Sequence, residues 1–319
     1  MVAPLRRRKA RVAPAAGLLL LSLLWAAEPL RTGLFGPAFR DRLPHFQRQA
    51  ILFVLLALVC AVLAKFRGEE RPRGAKVSTP ILIGLGMFLA PSLLGWSAGG
   101  WINGFARTVL FTLVPLFALV LEPYLGGELH AGSHPALLNG SRLSAAIALA
   151  AGAFCVFPVE FPASLQAGAA FCCTIMSATI IAATNCIAVS AAYRSYHKSI
   201  ALLAAISGLT AALGYTVASI FTERSIWQWS LWAPELLWST VVELPTLLLL
   251  FWLMGHMSAV RMATRYGVAP LITILLGALL TQSSMTWRTS LGLLLMALGA
   301  GYLLFAPESE LEPASLSLR

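Results

Sequence analysis

Apolar residues fall in long continuous blocks along the whole chain, separated by short polar connections. Each block is long enough for a helix that crosses the hydrocarbon core of a bilayer, which takes about 20 residues. The blocks lack the alternating pattern of the strands in a membrane barrel. This pattern predicts an all-α, polytopic membrane protein. Ten transmembrane helices are expected, at about 13–30, 49–65, 77–97, 102–121, 143–159, 165–190, 199–221, 235–255, 262–280 and 286–306.

Two apolar runs, each with a proline near its start, share one outline about half a chain apart. They read LVPLFALVLEP from Leu113 and VAPLITILLGALL from Val268, and Pro115 and Pro270 are separated by 155 positions. The segments that follow, SRLSAAIALAAGAFCVF and WRTSLGLLLMALGAGYLLF, also correspond. Five predicted helices are therefore repeated. Because five is an odd number, the second copy enters the membrane from the opposite side, which gives two inverted five-helix repeats.

The repeat divides the chain into two predicted domains. Residues 1–160 form the first, with a basic tail over 1–12, and residues 161–319 form the second, with a short acidic tail. Inverted halves suit a carrier, because they present one central site to each side of the membrane in turn. A proline inside a helix removes a backbone hydrogen bond, so Pro115 and Pro270 are candidate hinges. Static helix packing is the alternative role for these prolines.

Composition and charge agree with a membrane protein and predict its orientation. Apolar residues make up 58% of the chain, charged residues 11%, and the mean hydropathy is +0.79. The net charge of +10 does not require nucleic acid, because 16 of the 23 Lys and Arg residues lie in segments that would face the cytoplasm. Both termini are therefore predicted to be cytoplasmic. The first outward loop carries four arginines and departs from this rule; a cleaved signal peptide is the alternative for the first span.

Ten spans in two inverted halves, each with a proline-bearing fourth helix and a fifth helix of small residues, resemble the drug/metabolite transporter superfamily of the EamA type. LLLLSLLWAAEPL resembles the opening helix of the family, and ARTVLFTLVPLFALVLEPYLGGE resembles the end of its first repeat. The family often closes its fourth and ninth helices with glutamate; Glu122 matches this pattern and Gly277 departs from it. The resemblance implies a secondary transporter of the bacterial cytoplasmic membrane, usually an exporter of small metabolites or drugs.

Ionisable side chains inside a predicted span are costly and are therefore functional candidates. Arg107 lies early in the fourth span and Glu243 lies well inside the eighth. Counted from one membrane face they are roughly 6 and 12 Å deep at 1.5 Å per residue, so an ion pair between them is expected. Asn103 would share a helix face with Arg107, and Thr240 and Thr246 would share one with Glu243.

These polar stripes are predicted to face a central cavity. Glu243 would bind a cationic group or carry a coupling proton, and Arg107 would bind an anionic group or hold Glu243 ionised. A permanent salt bridge, and a protonated Glu243 bonded to hydroxyl groups, are the alternatives. Asn185 and Tyr215 are further polar candidates inside spans, and a bond between helices is the favoured alternative for Asn185. Glu28 is expected to be a solvated charge at a helix end.

Other chemistry is not expected from this chain. Glu128, His130 and His134 in the loop GELHAGSHP have a suggestive spacing, but the loop is rich in glycine and has no rigid element to fix metal ligands. No metal, cofactor or nucleotide-binding loop is therefore expected, and the five cysteines have no disulfide spacing. The expected partners are a small-molecule solute, the lipid bilayer, a proton and a second copy of the chain in a homodimer.

Two other functions remain open. A lipid flippase or scramblase would use the same fold. A membrane-embedded enzyme is less favoured, because all five histidines fall in predicted loops and no nucleophile and base pair is evident in the spans.

Overall fold

The structure is a computed structural model that describes residues 3–35, 43–70, 72, 74–125, 140–157, 159, 162–282 and 285–306. Regular structure within these ranges is entirely helical. We label the long helices in chain order as α1 (Ala3–Phe35), α2 (His45–Phe66), α3 (Ser78–Ser97), α4 (Gly104–Leu125), α5 (Gly140–Val156), α6 (Leu165–Arg194), α7 (Ile200–Thr222), α8 (Trp229–Met254), α9 (Ala259–Leu280) and α10 (Trp287–Phe305).

Within the described ranges, nine of these helices are long and apolar enough to cross a membrane. A hydrocarbon environment requires that backbone N–H and C=O groups bond to each other, and a helix meets this requirement within itself. The chain is therefore an integral membrane protein made of helices, which confirms the prediction at that level. The remaining helix, α5, has 17 residues and is shorter than the others. The tenth crossing, expected at 143–159, stays a prediction.

The helices pack mainly across the middle of the sequence, between the first five and the last five. α2 lies along α7, and α5 lies along α10. α1 packs against α9, and α4 packs against α6. α3 contacts α6 and α7, whereas α8 contacts α1 and α2. Side chains that are far apart in the sequence therefore meet inside the bundle.

A widened turn interrupts both α3 and α8. Gly84–Leu89 in α3 and Ser239–Glu243 in α8 are π-helical turns. Each is followed two residues later by a proline, Pro91 or Pro245. A proline has no N–H to close the regular bond of the preceding turn, and a π-helical turn accommodates the change by holding an extra residue. In α8 this turn decides which side chains share a face.

Glutamates that follow one helix cap the start of another. Glu69, after α2, accepts a hydrogen bond from the backbone N–H of Leu202 at the start of α7, at 3.1 Å. Glu223, after α7, accepts from the backbone N–H groups of Phe46 and Gln47 at the start of α2, at 2.9 and 3.0 Å. A carboxylate at a helix N-terminus satisfies unpaired N–H groups and interacts favourably with the helix dipole. These caps fix α2 and α7 to each other at both ends.

The two prolines predicted as hinges lie in different local structures. α4 is broken just before Pro115, where the N–H groups of residues 112 and 113 bond to carbonyls three residues back, at 3.0 and 3.2 Å. Pro270 lies inside the continuous part of α9 that begins at Arg265, and the break in α9 comes earlier, at Thr264. Hinge motion at either proline stays a prediction.

Glycines let α5 and α10 approach each other closely. Gly152, Gly292 and Gly299 all lie against backbone atoms of the facing helix. A methyl group on Gly299 would lie 2.5 Å from the carbonyl oxygen of Ala145 and 2.7 Å from the backbone nitrogen of Leu149. Small residues at such crossings are a common means of packing helices in membranes.

Replacing Gly299 with alanine is expected to destabilise the protein by about 1–3 kcal/mol, because the added methyl group overpacks a contact with backbone. Gly301→Ala on the same helix is the matched control, since a methyl group there meets no atom within 4 Å. The apparent melting temperature of the purified variants in detergent measures the difference. Equal melting temperatures for the two variants would contradict the close approach of α5 and α10.

Candidate functional site

Charged side chains from α1, α2 and α8 meet in a buried cluster. Arg31 donates to both carboxylate oxygens of Glu235, each at 3.0 Å. Arg48 donates to Glu235 at 2.9 Å and to Glu28 at 3.0 Å. The side chains of Arg31, Arg48 and Glu235 are 4%, 7% and 6% exposed. Because two-point bonds between arginine and carboxylate are strong and directional, this cluster fixes the three helices to one another.

Two further contacts extend the cluster toward the middle of α8. The indole N–H of Trp238 donates to Glu28 at 2.6 Å. Glu243 accepts from the hydroxyl of Ser239 at 2.6 Å and lies 3.7 Å from Nη2 of Arg48. We use the name ionic cluster for Glu28, Arg31, Arg48, Glu235 and Glu243. It holds three carboxylates and two guanidinium groups, and its longest ion pair is the one made by Glu243.

A cavity of about 270 Å³ lies beside the ionic cluster. Residues of six helices form its wall, three from the first half of the chain (α1, α2 and α3) and three from the second (α7, α8 and α9). Glu28, Arg48 and Glu243 are at this wall, together with Thr246. Charged groups that border open space among membrane-spanning helices are costly to keep there. Their presence marks the cavity as the candidate site for a polar solute.

Arg265 borders the same cavity from α9. Arg265 is 1% exposed. Its guanidinium group donates to the carbonyl of Met262 at 3.0 Å and to the side-chain oxygen of Asn185 at 3.1 Å. The guanidinium carbon lies 4.7 Å from the ring centre of Tyr266 and 5.4 Å from that of Trp25. None of the carboxylates in the described ranges pairs with it. The cavity therefore has a cation whose partners are all neutral.

Tyr215 anchors the aromatic part of the wall to α3. Its hydroxyl donates to the carbonyl oxygen of Phe88 at 2.8 Å and shares a hydrogen bond with the hydroxyl of Ser92 at 2.7 Å. Phe88 belongs to the π-helical turn of α3. The ring of Phe53 stacks on Tyr215, with ring centres 5.5 Å apart. Of the residues predicted from sequence to face a cavity, Tyr215, Glu243 and Thr246 are at its wall.

The structure does not form the expected pair between Arg107 and Glu243. Glu243 has Arg48 as its cationic neighbour, because α8 packs against α1 and α2. Arg107 lies where α3 leads into α4, with its guanidinium near Gly95 and Gly99. Its Nε is buried and has no hydrogen-bond partner among the described residues. The sequence placed both charges in one leaflet but gave no information on which helices are neighbours.

The predicted polar neighbours of that pair, Asn103 and Thr240, do not face the cavity. Asn103 is exposed and caps α4 by accepting from the backbone N–H of Ala106 at 2.7 Å. Thr240 is exposed as well, because the π-helical turn rotates it away from Glu243. The hydroxyl that contacts Glu243 belongs to Ser239 instead. For Asn185 the sequence favoured a bond between helices over contact with a solute. The structure has such a bond, from Asn185 on α6 to Arg265 on α9.

Sequence reasoning missed most of the ionic cluster. The expectation that Glu28 is a solvated end charge is wrong, since it bonds to Arg48 and Trp238. Arg31 and Arg48 fall within the predicted first outward loop, as two of its four arginines. Glu235 and Arg265 were also overlooked, although they fall within the predicted spans 235–255 and 262–280. Their position inside a span was the signal that would have identified them.

The loop with Glu128, His130 and His134 lies outside the described residues. Within the described ranges, no three His, Cys, Asp or Glu side chains are grouped so as to hold a metal ion. The five cysteines all belong to those ranges and are free thiols.

Membrane-crossing helices around a cavity with charged walls define an integral membrane protein with a polar site inside its helix bundle. No family model and no curated protein matches the chain. Among solved structures, 27 chains match it. One of them, described only as a crystal structure of a protein, has a TM-score of 0.67 and 18% identity, and the match covers 92% of this chain and 98% of that chain. At this identity the match shows a shared fold alone.

Proposed function

We propose that the protein is a secondary transporter that exports a small organic solute by alternating access. The observation that carries the proposal is the cavity, which lies among the spanning helices and has Glu28, Arg48, Glu243 and Arg265 at its wall. Charged groups inside a membrane mark the pathways of solutes and ions. A set of ion pairs needed only for stability would not have to border open space.

The proposal includes an inverted repeat in which α1–α5 and α6–α10 are equivalent. Three pairs of features separated by 154 or 155 positions support it: Pro91 with Pro245 after the π-helical turns, Glu69 with Glu223 at the caps, and Pro115 with Pro270. Helix contacts support it as well, since α1 with α9 is matched by α6 with α4, and α3 with α7 by α8 with α2. Halves that superpose in an experimental structure with the same rather than the opposite orientation would contradict this arrangement.

The origin of the cavity wall supports alternating access. Each half contributes three helices to it, so that rocking one half against the other would open the cavity to one side at a time. The ionic cluster joins α1 and α2 to α8 and therefore lies across the boundary between the halves. The contact of 3.7 Å between Arg48 and Glu243 is its longest ion pair, and we expect that contact to break first.

The energy source that we propose is an ion gradient, with a proton as the coupling ion and Glu243 as its carrier. The resemblance of the sequence to drug/metabolite transporters supports a secondary mechanism. It also supports a location in the bacterial cytoplasmic membrane, and the basic segments support cytoplasmic termini. A reporter fused after Arg319 tests that orientation, and activity outside the cytoplasm would reverse it.

Solute exchange across proteoliposomes tests the proposed function. Comparison of metabolites in cells with and without the protein selects the solutes to be used. A solute that changes in cells and exchanges across vesicles supports the proposal. Chemical conversion of the solute would indicate an enzyme, and movement of labelled lipid without solute exchange would indicate a flippase or scramblase.

A further inference from the structure

We infer that Arg265 binds the carboxylate group of the carried solute, and that this solute is a small organic anion with an apolar or aromatic body. The inference deepens the proposed function. It rests on that function in one respect, because only a transporter would make the bound molecule a carried solute. The binding site itself depends on contacts of Arg265 that are independent of transport.

Two N–H donors of the Arg265 guanidinium group have no hydrogen-bond acceptor within the described ranges. Of the five N–H groups of an arginine, three are used, toward Met262 at 3.0 Å, Asn185 at 3.1 Å and Tyr266 at 3.4 Å. The Nε atom is buried and lacks a hydrogen-bond partner within the described ranges. A buried cation with an unfilled donor is costly unless something else completes its contacts. An anion in the adjoining cavity would offset the charge of the guanidinium group, which its neutral partners do not.

The other arginine at the cavity wall is already engaged by carboxylates. Arg48 bonds to Glu28 and Glu235 and lies near Glu243. The ionic cluster as a whole has one more carboxylate than guanidinium, so it repels a further negative charge. Arg265 has only neutral partners, and an anionic group is therefore directed to it.

The surroundings of Arg265 select the charge and the body of the solute. The positive charge of Arg265 has no anionic partner among the described residues, which suits a ligand with one negative charge, such as a carboxylate. A phosphate dianion would need a second free cation, and the carboxylates of Glu28 and Glu243 at the same wall oppose a second negative charge. The rings of Trp25 and Tyr266 lie over the guanidinium group, and Phe53 and Phe88 also line the cavity. These rings suit an apolar or aromatic body next to the carboxylate.

Binding to the purified full-length protein in detergent tests the inference without any transport step. The probes are phenylacetate and hexanoate, their neutral amides phenylacetamide and hexanamide, and phenyl phosphate. We expect both carboxylates to raise the apparent melting temperature in a saturable manner and the amides to have no such effect. Arg265→Gln is expected to weaken binding at least tenfold, with Arg265→Lys in between because lysine keeps the positive charge but not the planar group over the rings of Trp25 and Tyr266. Arg288→Gln, at an exposed arginine, is the matched control and should bind as the wild type does.

If Arg265→Gln does not fold, the preference of the wild-type protein for carboxylates over amides is the result that decides the inference. Equal effects of carboxylates and amides, or no effect of either carboxylate, would overturn the inference. A stronger effect of phenyl phosphate would overturn the choice of a carboxylate. Selective binding without exchange in proteoliposomes would keep this site and reject transport, whereas exchange without selectivity for anions would reject the site and keep transport.

Discussion

Replacing Glu235 with glutamine is expected to destabilise the folded protein by about 3–5 kcal/mol, which is typical of removing one partner from a buried ion pair. Glu235 accepts hydrogen bonds from Arg31 at 3.0 Å and from Arg48 at 2.9 Å, and its side chain is 6% exposed. Glutamine keeps the shape but removes the negative charge that Arg31 and Arg48 share at this position. The apparent melting temperature and the yield of monodisperse protein in detergent measure the loss.

Glu70→Gln provides the matched control, because Glu70 is exposed and the chemical change is the same. A double-mutant cycle with Arg31→Gln isolates the pair, since the second substitution should cost much less once Glu235 has been changed. A melting temperature of Glu235→Gln equal to that of Glu70→Gln would contradict the buried ionic cluster.

Glu243→Gln is expected to leave the protein folded and to reduce transport at least about tenfold, the effect of losing 1.4 kcal/mol from an electrostatic contact in the transport cycle. The glutamine can still accept the hydrogen bond from Ser239, which in the native protein is 2.6 Å long. It cannot take up or release a proton, so an imposed proton gradient should drive the wild type and not the variant. Initial rates in proteoliposomes, with and without the gradient, measure both effects.

Glu70→Gln serves again as the control and should transport at the wild-type rate. Full transport by Glu243→Gln with an unchanged response to the proton gradient would remove Glu243 from the coupling mechanism. Loss of folding in this variant would instead give Glu243 the structural role that is here assigned to Glu235.

The helices could be predicted from sequence because a bilayer imposes length and composition on each crossing. The pairing of helices could not be predicted, since it depends on contacts between distant residues. Glu223 caps α2 at Phe46, which is 177 positions away in sequence. A glutamate after a helix looks like a solvated residue until the facing helix is known.

The candidate site was predicted only in part, for two physical reasons. Arg48 lies three residues into α2, where charges are normally solvated, and only the fold brings Glu235 to it across 187 positions. The expected stripe of Thr240 with Glu243 assumed regular α-helical spacing, which the π-helical turn changes. Glu243 and Tyr215 were found because a polar group inside an apolar span has a cost that the sequence alone reveals.

Counterflow in proteoliposomes tests most directly the central claim, that the cavity carries a solute across the membrane. Vesicles that contain the wild-type protein are loaded with an unlabelled solute selected by metabolite comparison, and uptake of the labelled solute is followed. We expect labelled solute to accumulate transiently above its equilibrium level in loaded vesicles, and not in empty vesicles or in loaded vesicles that lack the protein. Uptake that is independent of internal solute for every selected compound would contradict the claim.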